Sequence, residues 1–210
     1  MKIAKALYYL KHPRDLQFAL AIKYPRLFSD KQFLKIFFRH LMGSELNLKC
    51  PQTFNEKLQW LKLYDHNPQY TQMVDKHEAK KYVASIIGEE YIIPTLAVYN
   101  STKEINLDVL PDKFVLKCTH DSGSVAICKD KKTFKTDEAF AMLEKGLQKN
   151  YFWQNREWPY KNVKPRIIAE AYLEDYDAQD LRDYKFFCFD GNVKALFIAG
   201  DRHKDEETKF

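Results

Sequence analysis

The sequence has no run of eighteen apolar residues, so a membrane-spanning helix is not expected. Its opening, MKIAKALYYLKHPRDLQF, holds one short apolar stretch that His12, Pro13 and Arg14 interrupt. That is too brief for a signal peptide and lacks a small-residue cleavage site. The four cysteines lie far apart with no CxxC pair, which speaks against zinc and for reduced thiols in the cytoplasm. The six histidines show no HxxxH or HExxH spacing. Neither GxxxxGK nor GxGxxG occurs. The neighbours His120, Asp121 and Ser122 hold the residue types of a hydrolase triad. Three consecutive residues cannot form the relay of hydrogen bonds that a triad needs. There is no internal repeat and no low-complexity segment.

What is present is the composition of a soluble globular protein, 45% hydrophobic and 30% charged over 210 residues. That length accommodates one large domain or two small ones. Charge is skewed along the chain. Residues 1–50 carry ten Lys or Arg against three acids, +7, while the whole chain is +5. The same segment is rich in Phe and Tyr. Two readings stay open: a helical cover whose aromatics pack on the rest, or a segment lying on an anionic membrane face or an acidic partner. Nucleic acid is not expected, since the excess charge is modest and no recognition motif accompanies it.

Periodicity divides the chain into a helical first part and an α/β second part. Helices are predicted over 14–24 and 30–42, the latter with Phe33, Ile36, Phe37, His40 and Leu41 as its stripe and Gly43 as its stop. Thr53 and Glu56 form a capping box. The helix that follows is predicted to turn Phe54, Leu58, Leu61 and Trp60 to a core. Asn67-Pro68 marks another start. A helix from Asp75 is predicted to bury Ala79, Tyr82, Val83 and Ile86 and to end at Gly88. Beyond it, EYIIPTLAVY reads as an extended segment interrupted by Pro94, and KFVLKC, VAICK, RIIAEAYL, DYKFFCFDG and NVKALFIAG read as strands. Asp190-Gly191 makes a hairpin between the last two. TDEAFAMLEKGLQKN is a helix with Phe140, Leu143 and Leu147 on one face. NYFWQNREWPYKNVKP reads as an ordered aromatic loop.

Three features carry chemistry. Lys117 lies near the end of an apolar strand, followed by the Ser/Gly loop 120–124. An anion would partner the ammonium, and the loop amides could face the same anion. The alternative is a lysine reaching solvent beside an ordinary turn. Glu170 ends another apolar strand, where a carboxylate needs a partner, unless it is a surface acid. Asp183 and Lys185 sit two apart on one strand face, which also suits a solvated surface.

In order, VDKHEAKKYV with IGEEYIIPTL, FVLKCTHDSGSVAICKD, PRIIAEAYL and DYKFFCFDG resemble the successive elements of the ATP-grasp fold. TFNEKLQWLKLYD, HDSGSV and NREWPYKNVKPRIIAE are similar to its teichuronopeptide-biosynthesis (TupA-like) branch, over roughly residues 50–202. The resemblance implies an α+β fold with two lobes of antiparallel sheet gripping ATP. It implies phosphate contacts from Lys76 and Lys117, and a phosphate-covering hairpin at Ser122, Gly123 and Ser124. Glu170 would face the adenine amino group, the Leu173 backbone the adenine ring, and Asp183 the ribose. Lys185 would lie near the site, with Arg202 near phosphates or acceptor.

The resemblance sets four regions: a basic helical region 1–50, a helical region 51–110, an N-terminal lobe 111–168 and the start of a C-terminal lobe 169–210. The fold's magnesium carboxylates stand on a last strand pair that GDRHKDEETKF does not resemble. The expectation is therefore a truncated chain or a degenerate relative, without metal ligands, that binds nucleotide and turns it over poorly. Should it turn ATP over, Asp201, Asp205 and Glu206 are the first candidates for metal ligands. By resemblance, the activity is ATP-dependent joining of a carboxylate, from a sugar acid or amino acid, to an amine in bacterial surface-polysaccharide assembly. A sugar-transferring enzyme or accessory protein, and a non-catalytic nucleotide-binding remnant, are the alternatives.

Overall fold

The computed structural model describes residues 8–174, 181–200 and 207–209. The helical part opens with α1 (Pro13–Lys23) and α2 (Asp30–Met42). Ser29 and Gln32 cap α2 reciprocally, and Gly43 ends it at φ 71°, in the left-handed region that glycine enters without a Cβ clash. The buried stripe of α2 is Phe33, Leu34 and Phe38, and Leu41 is 70% exposed. The stripe is thus rotated toward Leu34 from the predicted one. Phe33, Leu34 and Phe38 form a small core with Ala21 and Leu46, and Leu63 of the next helix packs against it.

That next helix, α3 (Phe54–Tyr64), carries the predicted Thr53–Glu56 box. Its orientation differs from expectation: Phe54, Leu58, Trp60 and Leu61 are all exposed. The cause is Glu56, whose carboxylate also receives the backbone amides of Asn47 and Gln52. This anchors the Glu56 face inward, and the apolar face turns out. After α4 (Gln69–Val74) comes α5 (Lys76–Ile87). Here too the expectation fails, with Val83 and Ile86 exposed and no residue of the helix fully buried. The face of α5 that meets the sheet carries Lys76 and Lys80, which bond backbone carbonyls there.

The larger sheet contains β1 (Thr95–Tyr99), β2 (Phe114–Cys118), β3 (Val125–Cys128) and β4 (Ile167–Ala171), in the order β1-β4-β2-β3. Every pairing in it is antiparallel. Its two faces differ, because successive side chains alternate along a strand. Phe114, Leu116, Cys118, Ile167 and Ala169 point one way and form the main core with Ala139 and Leu143 of α6 (Thr136–Leu147). Between α6 and β4 the aromatic loop holds a short helix, α7 (Phe152–Asn155), and a 3-10 turn at Trp158–Tyr160. The second sheet, β5 (Asp183–Phe189), β6 (Asn192–Gly200) and β7 (Glu207–Lys209), is also antiparallel. Asp190 and Gly191 form its first hairpin at φ 49° and 73°, the pair of positive angles that a two-residue turn demands. Mixed helices and antiparallel sheets make the described architecture α+β. No described helix is long and apolar enough to cross a membrane.

Candidate functional site

The second face of the larger sheet carries the polar chemistry. In the antiparallel register Lys117 stands opposite Ile168, and Glu170 opposite Val115. Residues opposite one another share a face, so Lys117 and Glu170 are diagonal neighbours on it. The Lys117 ammonium contacts Glu170 Oε2. The α5 helix lies over this corner because its N-terminus is tied to both strands. The Lys76 amide donates to Thr119 O at 3.0 Å, and the Thr119 amide donates to Arg166 O at 2.9 Å. The Asp75 side chain caps α5 by accepting from the amides of His77 and Glu78. Its other oxygen accepts from Arg166 at 2.7 Å, which also donates to Glu78 at 3.0 Å.

This anchoring delivers two lysines, one helical turn apart, to the sheet. Lys80 Nζ lies 2.5 Å from Glu170 Oε1. It donates as well to Ile93 O at 2.7 Å and Thr95 Oγ1 at 3.2 Å. Lys76 Nζ donates to Cys118 O at 2.9 Å and to Asp121 O. Glu170 is 3% exposed. Burial alone would raise its carboxyl, but Lys117 and then Lys80 outweigh that and hold it below the usual carboxylate range. Burial pushes the Lys76 ammonium down, opposed by the Asp121 carboxylate. Three ammoniums and one buried carboxylate therefore meet at one corner. Val125 and Ile127 of β3, on the same face, are 38% and 50% exposed. The corner offers cationic groups beside an open apolar strand.

The loop after β2 splits into a buried base and an exposed tip. Thr119, His120, Asp121 and Ser124 are buried, whereas Ser122 and Gly123 are exposed, with Gly123 at φ 101°. Ser124 Oγ donates to Asp121 Oδ2, so this hydroxyl is turned inward, away from the tip. His120 Nε2 bonds Gly146 O at 3.1 Å, which places the proton on that nitrogen. Thr119 Oγ1, His120 Nδ1 and Asp121 Oδ1 are buried without a protein partner. Unpaired buried polar atoms are costly and concentrate where structure serves function.

Of the residues singled out by sequence, Lys76, Lys117 and Glu170 are brought together, with Ser122 and Gly123 at the tip of the loop that follows Lys117. Leu173 is 41% exposed, past the end of β4. Asp183 and Lys185 lie on β5 in the second sheet and pair with each other at 3.0 Å. Asp201, Arg202, Asp205 and Glu206 lie outside the described residues. Lys80 was missed in the sequence. Its signal was the four-residue spacing from Lys76 in DKHEAKK, which puts both on one helix face. Among the described residues no group of three or more His, Cys, Asp or Glu could hold a metal ion. The carboxylate at the corner is engaged by two ammoniums, Lys80 and Lys117.

A family model for TupA-like ATP-grasp proteins matches residues 56–210. No curated protein matches the chain. No solved structure matches it either. The match spans the helix bearing Lys76 and Lys80, the strands of Lys117 and Glu170 and the second sheet, and the chain belongs to the TupA-like ATP-grasp family.

Proposed function

We propose that the corner formed by Lys76, Lys117 and Glu170 binds ATP, with the exposed Ser122–Gly123 tip beside the phosphates. The observation that carries this reading is the convergence of ammoniums from α5 and β2 on one carboxylate beside an open strand. A triphosphate supplies the anion that such a cluster asks for. Glu170 and the backbone near Leu173 suit an adenine edge, which offers both a donor and an acceptor. Asp183 and Lys185 would meet the ribose side of the nucleotide.

The activity we infer is an ATP-dependent carboxylate–amine ligase acting in bacterial surface-polysaccharide biosynthesis. ATP transfers its terminal phosphoryl group to a carboxylate of a sugar acid or amino acid. An amine then displaces phosphate to form an amide. The lysines would neutralise phosphate charge and hold the reactants in place, which is the protein's main contribution to such chemistry. Family membership supports the nucleotide, and the choice of ligation rests on the similarity of FVLKCTHDSGSVAICKD alone to the lysine strand and phosphate-covering hairpin of D-alanine–D-alanine ligases. The sequence also contains Asp175-Tyr176-Asp177, the Asp-x-Asp spacing of many sugar-nucleotide enzymes, outside the described residues.

Calorimetry with ATP and with nucleotide sugars separates these activities. ATP is expected to bind the wild-type chain in preference to any nucleotide sugar. Lys117→Ala removes a charge-assisted contact worth about 1.5–3 kcal/mol, roughly ten- to a hundredfold in affinity. Equal ATP affinity in the two forms would remove Lys117 from the phosphate site. Tighter binding of a nucleotide sugar would replace ligation by glycosyl transfer.

A further inference from the structure

The three lysines at the corner are held in different ways. Lys80 has three protein partners: it donates to Ile93 O and Thr95 Oγ1 and pairs with Glu170 Oε1. Its side chain is 16% exposed. Lys76 is tied to the carbonyls of Cys118, at the end of β2, and of Asp121 in the loop that follows. Lys117 is 26% exposed, and its side-chain contact among the described residues is the ion pair with Glu170 Oε2. A lysine with a single anionic partner can exchange one anion for another, whereas one with three fixed acceptors cannot move without stranding two of them.

We propose that Lys80 is the positioning residue of this site. It remains on Glu170 when Lys117 leaves for the nucleotide phosphates, and so keeps the Glu170 carboxylate charged and aimed in the loaded state. The proposal rests on the nucleotide reading above. Glu170 is faced by Lys76 and Lys80 from α5, by Lys117 from β2 and by Thr95 from β1, with Asp121 beside Lys76 in the loop. Once Lys117 turns to phosphate, Lys80 is the ammonium still in contact with a carboxylate that is almost without solvent. A carboxylate so buried and deprived of its last ion-pair partner takes up a proton.

The test compares wild type, Lys80→Met and Lys80→Arg by calorimetry with ATP at pH 7.5, in two buffers of different ionisation enthalpy. The full chain is used, and thermal melting confirms that each form is folded. In Lys80→Met, ATP binding is expected to take up additional protons relative to wild type, approaching one per nucleotide. Affinity should fall about tenfold and decline further as pH rises, because binding is then linked to proton uptake. Lys80→Arg restores the wild-type proton count, since it keeps the charge. Comparison with wild type cancels the nucleotide's own titration. Should Lys80→Met bind ATP with wild-type affinity and proton count, the role of Lys80 is overturned and the site stands. Should Lys80→Arg behave like Lys80→Met, charge is not what Lys80 supplies and the proposal fails. If wild type itself gives no ATP heat, the nucleotide reading fails and the proposal fails with it.

Discussion

Cys118 stands at the end of β2 with its thiol in the main core, 0% exposed and donating to Leu143 O at 3.5 Å. Burial, with the Asp121 carboxylate, pushes this thiol up to about 11. Burial likewise raises Cys128. Cys50 and Cys188 are exposed. Since the thiolate is the reactive form, a thiol reagent at pH 8 should modify Cys50 and Cys188 rapidly in the native protein. Cys118 and Cys128 should react only on unfolding. Mass spectrometry of partly labelled protein checks this, and fast labelling of Cys118 would show that the core opens near the lysine corner. The sign of the linkage follows. A thiol with a folded pKa above its unfolded value near 8.5 favours the native state below that pH. The contribution is lost as pH rises from about 8.5 toward 11, so alkaline melts should fall over that window. At this scale the sequence was readable where a lone polar residue interrupted an apolar strand, as at Lys117 and Glu170. The Lys76–Lys80 spacing was too weak a signal to single out Lys80, because a lysine on a helix is ordinarily solvated surface.

At the scale of elements, α6 sets the β2–β3 hairpin. Gly146 packs so closely on it that an added Cβ would lie 2.5 Å from Ser124 Oγ and 2.8 Å from Cys118 Sγ. Its carbonyl also holds His120. Gly146→Ala is therefore expected to force the hairpin base away from α6, costing about 1–3 kcal/mol despite alanine's better helix propensity. The displacement would carry the Ser122–Gly123 tip with it, so ATP affinity should weaken alongside stability. Denaturant melts and calorimetry on the one variant check both. A variant as stable as wild type would mean that Ser124 and Cys118 yield cheaply. Strand and helix positions were largely legible from periodicity and caps, since Thr53–Glu56, Gly43 and Asp190-Gly191 act through neighbours in sequence. Which face of α3 and α5 turns inward was not. Polar anchors decided it: Glu56 with the amides of Asn47 and Gln52, and the lysines of α5 with carbonyls of the sheet.

Across the whole molecule, one buried cation joins the first fifty residues to the aromatic loop. Arg156 is 0% exposed, at φ 55°. Its Nε lies 2.8 Å from Asp30, and its guanidinium donates to Pro25 O at 2.5 Å and to Trp153 O at 3.3 Å. It also stacks over Phe33 and Trp153, 4.2 and 4.6 Å from their ring centres. Arg156→Ala would strand these acceptors and leave a void, at a cost of about 3 kcal/mol. Removing residues 1–50 would uncover Leu63 and leave Arg156 charged without Asp30. That shortened form is expected to melt at lower temperature and to aggregate, measured by circular dichroism and light scattering. A shortened form with an unchanged melt would make the helical region dispensable to the rest. The sequence by itself determined the α+β class, the order of elements and the family, because these rest on local periodicity, caps and short motifs in a fixed order. The tertiary structure decided that Leu34 and Phe38 pack inward, and that Arg156 is a buried staple. It also decided that Glu170 is shared by Lys80 and Lys117. Each of these depends on groups distant in sequence finding partners out of water, and no period or motif records that.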